Sequence, residues 1–179
     1  MLGYVIRYGT AAGVVVGGLM LLTVGLLPMQ HGALGMAIGY ATMLIALSAV
    51  FVGIKRYRDA AGGGVIGFWR AFGLGLAISA VAGMFYVAAW EVTQALFLSD
   101  FMENYTASTL AKAQADGASA AELARMRAEM AALAAQYRNP LFRLPITFAE
   151  IFPVGVLVSM ISAAMLRNPR VLPATRTVA

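Results

Sequence analysis

The chain has 179 residues, 61% of them hydrophobic and only 12% charged, with a formal charge of +5 and no cysteine. Soluble domains carry about a quarter charged residues, so this composition excludes the ordinary soluble class and indicates a membrane protein. The lack of cysteine removes disulfides, thiol nucleophiles and thiolate metal sites. The basic residues stand in short clusters beside apolar spans, the pattern that sets membrane orientation, so no nucleic-acid partner is expected.

The architecture expected from hydropathy is all-α: one integral membrane bundle, residues 1–179, of four transmembrane helices spanning about 5–27, 34–54, 71–98 and 141–166. An extracytoplasmic helical hairpin at 99–138 joins the third and fourth, and a cytoplasmic tail occupies 167–179. The first span holds an uncharged run from Tyr8 to Leu27 behind Arg7. That run exceeds the core of a signal peptide and lacks a clear A-x-A site after Pro28, so an uncleaved anchor is expected. Gly9, Gly13 and Gly17 recur every fourth residue and predict close packing on one helix face. His31, the single histidine, sits in the next connection with no ligand-spaced neighbours and is read as solvated.

The second span, with Gly35 and Gly39 again four apart, is read as ending at Ile54. Lys55, Arg56, Arg58 and Arg70 then mark a cytoplasmic loop with Tyr57, Phe68 and Trp69 at headgroup level. Gly62-Gly63-Gly64 lacks the Lys and Ser/Thr of a phosphate-binding loop, so it is read as a flexible turn. The third span, Ala71 to Leu98, is longer than the hydrocarbon core and carries Glu91 at a depth the sequence leaves open. Gly75, Ser79 and Gly83 form another small-residue face.

Within the insertion, a break at Asp116-Gly117-Ala118 predicts two helices. Ser119 and Glu122 have capping-box spacing for the second, whose Leu123, Met126, Met130, Leu133 and Tyr137 form an apolar seam. Methionines at helical spacing are read as packing and not as soft-metal ligands. The fourth span carries Glu150 between Pro145 and Pro153, each of which removes a backbone donor. A charge near the hydrocarbon centre costs about 2.5 to 3.5 kcal/mol on insertion scales, so Glu150 needs a protein or water environment. Arg143 and Thr147 precede it on one helix face and offer a structural explanation, with Glu91 as a further member of a candidate buried polar cluster of Glu91, Arg143, Thr147 and Glu150. Placing both termini and the second loop inside puts eight of the thirteen basic residues on the cytoplasmic side.

The runs IGYATMLIALSAVFVGIKRYRD from Ile38, GGVIGFWRAFGLGL from Gly63 and NPLFRLPITFAEIFPVG from Asn139 resemble the bacterial membrane-protein family known as domain of unknown function 4199. The resemblance covers most of the chain and implies a small multipass inner-membrane protein; it brings no activity and no site residues. From the residues themselves, the expected role is structural, in assembly or in partner binding, with the lipid bilayer, a membrane or periplasmic protein reached through the insertion, and further copies of the chain as partners. A small-solute or proton carrier using Glu150 is the alternative. No nucleophile, base and metal constellation is spaced for catalysis, so no enzymatic activity and no cofactor are expected.

Overall fold

Backbone polar groups in hydrocarbon must be satisfied within their own segment, and long apolar runs therefore become helices. The computed structural model describes residues 1–26, 33–97 and 100–174. They form α1 (Leu2–Leu26), α2 (Ala33–Ala61), α3 (Phe68–Phe97), α4 (Phe101–Ala115), α5 (Ala120–Tyr137) and α6 (Pro140–Leu166). Four of these, α1, α2, α3 and α6, are long and apolar enough to cross a membrane. His31, Ser99 and Arg176 lie outside the described residues.

The second helix does not stop at Ile54; it runs two further turns to Ala61. The charges there, read from sequence as a loop, support a helix instead: Lys55 pairs with Asp59 four residues on at 2.6 Å. Gly63 and Gly64 adopt positive φ, and the carbonyl of Arg58 accepts from the N–H groups of Gly62 and Gly64, which closes the helix. The glycines thus serve as a helix stop, a role the left-handed backbone reserves for them.

In the bundle, α3 packs against α1 on one side and α6 on the other, while α2 touches α1, α6 and, less extensively, α3. Small residues set these contacts. A Cβ on Gly9 would lie 2.6 Å from Val81 and one on Gly17 2.9 Å from Ala89, while Gly13 faces Phe85, so α1 and α3 run parallel and in register. Gly75 faces Ser159 and Gly155 faces Ser79, which fixes α3 and α6 antiparallel. Gly39 has open space around it and plays no such part. The core between them includes Leu47, Val50, Ile54, Leu74, Ile78 and Ile151. The outer faces expose Val14, Leu22, Leu44, Ile45, Met84 and Ile161, apolar surface that suits hydrocarbon contact.

Outside the bundle, α4 and α5 pack on one another. The Ser119 hydroxyl accepts from the Glu122 N–H while the Glu122 carboxylate accepts from the Ser119 N–H, the predicted capping box. Leu123, Met126, Met130, Leu133 and Tyr137 are each half-buried, and no residue of either helix is fully buried. The predicted seam therefore exists but does not make a separate core. At the opposite end of the bundle, Arg58 is fully buried and donates to the carbonyls of Val171 (2.9 Å) and Leu172 (2.5 Å) and to Asp59. It straps the segment after α6 to the end of α2. Trp69 is 78% exposed, as a headgroup residue would be. Tyr57 is buried instead, because Tyr4 packs edge-on against its ring and Arg70 donates to its hydroxyl at 2.6 Å.

Candidate functional site

The antiparallel register of α3 and α6 decides which polar residues meet. Glu91 stands near the end of α3 and Arg143 in the first turn of α6, and the register brings them together. The Arg143 Nε donates to the Glu91 carboxylate at 2.7 Å and its Nη2 to the second carboxylate oxygen, a bidentate pair. Nη1 also donates to the Tyr137 carbonyl at 3.2 Å, and the guanidinium lies over the Tyr137 ring. Trp90 donates its Nε1 to the Tyr137 hydroxyl at 2.8 Å, joining α3 to α5. Burial raises the Tyr137 pKa above its ordinary value against the lowering effect of the Trp90 bond.

The remaining two residues of the predicted cluster stand apart from this pair. The Thr147 hydroxyl donates to the carbonyl of Arg143, its own helix four residues back, at 3.1 Å and bridges nothing to Glu150. Arg143 is not the partner of Glu150; the two are separated by about two turns, roughly 10 Å along the helix, and Glu91 has claimed the guanidinium. The carboxylate of Glu150 instead accepts from the Tyr86 hydroxyl at 3.2 Å. Tyr86 is buried on α3. Tyr86 and Arg58 are the polar residues that sequence reading missed. Tyr86 sits on the same helix face as Gly75, Ser79 and Gly83, a signal available from periodicity alone.

Glu150 lies about one turn from the midpoint of α6 and is exposed. It falls on a continuous stripe of exposed residues, Ile146, Glu150, Pro153, Leu157 and Ile161, spaced four, three, four and four apart. On the side away from α4 and α5, the α3–α6 interface consists of Ser79, Gly155, Ser159 and Gly75. There the Ser159 hydroxyl donates to the Gly155 carbonyl at 2.6 Å and stands 3.3 Å from the Ser79 hydroxyl. Among the described residues, no group of three or more His, Asp or Glu side chains converges as a metal site.

These features define a class, an α-helical membrane protein whose α3 and α6 are held together by small residues and a bidentate ion pair. The family described as "Protein of unknown function (DUF4199)" matches residues 7–168, and the chain belongs to it. No curated protein and no solved structure matches the chain.

Proposed function

We propose that this protein is a structural or assembly component of a bacterial inner membrane, and that it holds a protein partner against the flank of α6 that carries Glu150. The observation that supports this reading is that Glu150, near the middle of an apolar helix, is an exposed residue whose carboxylate has Tyr86 as its one hydrogen-bond donor among the described residues. A stripe that faced only lipid would be apolar throughout, and a central charge costs about 2.5 to 3.5 kcal/mol. Tyr86 supplies one donor to Glu150; a partner helix that supplies a further one lowers that cost, and Ile146, Leu157 and Ile161 give it apolar surface to pack on. The partner is another membrane protein or a second copy of this chain.

In this reading each of the four apolar helices crosses the bilayer, both termini are cytoplasmic, and α4 with α5 forms an extracytoplasmic hairpin that extends the contact surface. The placement of eight of thirteen basic residues on the inner side supports that orientation. A carrier would need a polar route beyond Glu150, where the close-packed Ser79, Gly155 and Ser159 contact argues against one. The role is binding, with no catalytic step. A photo-crosslinking residue at Ile161 in native membranes tests it: a discrete protein adduct is expected, weakened by Glu150→Leu in a chain of unchanged helicity. Labelling of lipid alone at Ile161 would overturn the reading.

A further inference from the structure

Where α4 and α5 meet the ends of α3 and α6, they border a cavity of about 610 Å³ that is open on one side, within the size range of small-ligand sites. Its wall includes two cations, Arg127 and Arg138, and two carboxylates, Asp100 and Glu103. None of the four makes a side-chain hydrogen bond or ion pair among the described residues, whereas Arg125 on another face of α5 is paired with Glu129 at 2.8 Å. Asp100 occupies the N-cap position of α4 yet makes no capping hydrogen bond. A residue type that normally satisfies a helix end is here left with its acceptor free. Asp100 and Glu103 are about one turn apart, while Arg127 and Arg138, eleven apart, share a helix face about 16 Å apart along it, with Ala131 and Ala134 between them in the cavity wall.

Opposite charges that shared a site without purpose would neutralise one another. Here the carboxylates stand at the start of α4, Arg127 lies on α5 and Arg138 directly follows it, and no ion pair joins the two sets among the described residues. Arg143 also lines it but is already committed to Glu91, so it adds a fixed wall and no free charge. Met102, Leu110 and Met130 supply apolar surface between the charges, and Gln94, Thr106 and Tyr137 supply uncharged polar groups. Gln94 lies one turn from the end of α3 and Arg143 in the first turn of α6, so the cavity opens where two membrane-length helices end. The nearest source of a ligand at that level is the lipid surface.

We propose that this cavity binds a zwitterionic phospholipid headgroup, with Arg127 and Arg138 taking the phosphate and Asp100 and Glu103 taking the ammonium group. Arginine suits phosphate because its planar fork matches two oxygens at once. A primary ammonium gives three donors to the two carboxylates, whereas a quaternary one gives none. The site therefore prefers phosphatidylethanolamine to phosphatidylcholine and to phosphatidylglycerol. This inference is independent of the Glu150 flank and of the partner proposed to cover it.

The test uses the full chain in nanodiscs made from equal parts of phosphatidylethanolamine, phosphatidylcholine and phosphatidylglycerol, extracted into detergent, with bound lipid counted by native mass spectrometry. Retained phosphatidylethanolamine is expected on the wild type. Arg127→Gln with Arg138→Gln should reduce all retained phospholipid by about tenfold, as loss of charge-assisted bonds to phosphate predicts. Asp100→Asn with Glu103→Gln should keep phospholipid but lose the preference for the ethanolamine headgroup. All four residues are exposed, and circular dichroism should show unchanged helicity in each variant. Equal retention of the three lipids by the wild type overturns the proposal, as does retention unchanged in the arginine variant. Displacement of the lipid by equimolar soluble phosphoethanolamine, or a peptide in its place, overturns the lipid assignment.

Discussion

Arg143→Ala removes the cation from a pair whose side chains are 15% and 31% exposed, and it leaves the Glu91 carboxylate without its bidentate partner. Breaking a fully buried pair costs about 3 to 5 kcal/mol, and an exposed one contributes about 0 to 1. With both side chains partly exposed, the expected loss lies between these, about 2 kcal/mol, and includes the bond to the Tyr137 carbonyl and the stacking on its ring. The informative quantity is the coupling in a double-mutant cycle. Arg143→Ala with Glu91→Gln should cost less than the two single changes added together, by about 1 kcal/mol or more, because the partners fail as a unit. The same cycle between Arg143 and Glu150 should give coupling near zero, since those residues do not touch. Melting temperatures of the detergent-solubilised chain provide the assay. Coupling of Arg143 to Glu150 with none to Glu91 would refute the register of α3 and α6 and every contact built on it.

Three further outcomes follow from the packing. Gly13→Val should loosen α1 from α3 by about 1 to 3 kcal/mol because its new side chain strikes Phe85, whereas Gly39→Ala, in open space, should be neutral or stabilising by up to about 1 kcal/mol; thermal melts distinguish them. Arg58→Ala should destabilise by about 3 kcal/mol or more and expose residues 168–174 to added protease, since it leaves the carbonyls of Val171 and Leu172 without their donor and Asp59 with Lys55 alone. Hydrogen bonds from Ser119 hold the Glu122 carboxyl below its ordinary value of 4.5. A depressed folded value stabilises above the unfolded one and is lost as pH falls through it, so helicity of α5 should be constant at neutral pH and decline only in acid, and Glu122→Ala should remove that acid step in circular dichroism.

What could be read from the sequence was local or periodic. The Ser119 and Glu122 cap lies within four residues, the Leu123 to Tyr137 seam repeats at the helical period, and the Gly9, Gly13 and Gly17 stripe needs only a helix to become a face. What could not be read depended on register between distant segments. Arg143 has Glu150 as its helix neighbour in sequence, but the antiparallel packing set by Gly75, Ser79, Gly155 and Ser159 delivers Glu91 to it first. Thr147 turned to its own backbone, as hydroxyls in helices commonly do when no better acceptor is present. The end of α2 differs for another reason: its charge density suggests a loop, although Lys55 and Asp59 have the spacing of a helical ion pair. Tyr57 was drawn inward by Tyr4 and Arg70, which lie far from it in sequence or across a turn.

The most direct test of the central claim compares two positions that one isolated chain exposes equally. Leu157, on the Glu150 stripe of α6, is 54% exposed, and Leu22, on α1, is 55% exposed. Because the chain has no cysteine, a single cysteine at either position carries one spin label without background. Collision rates with dissolved oxygen, measured in native membranes, report contact with lipid. A partner on the α6 flank predicts a rate at Leu157 well below that at Leu22; equal, lipid-like rates at both positions would contradict it.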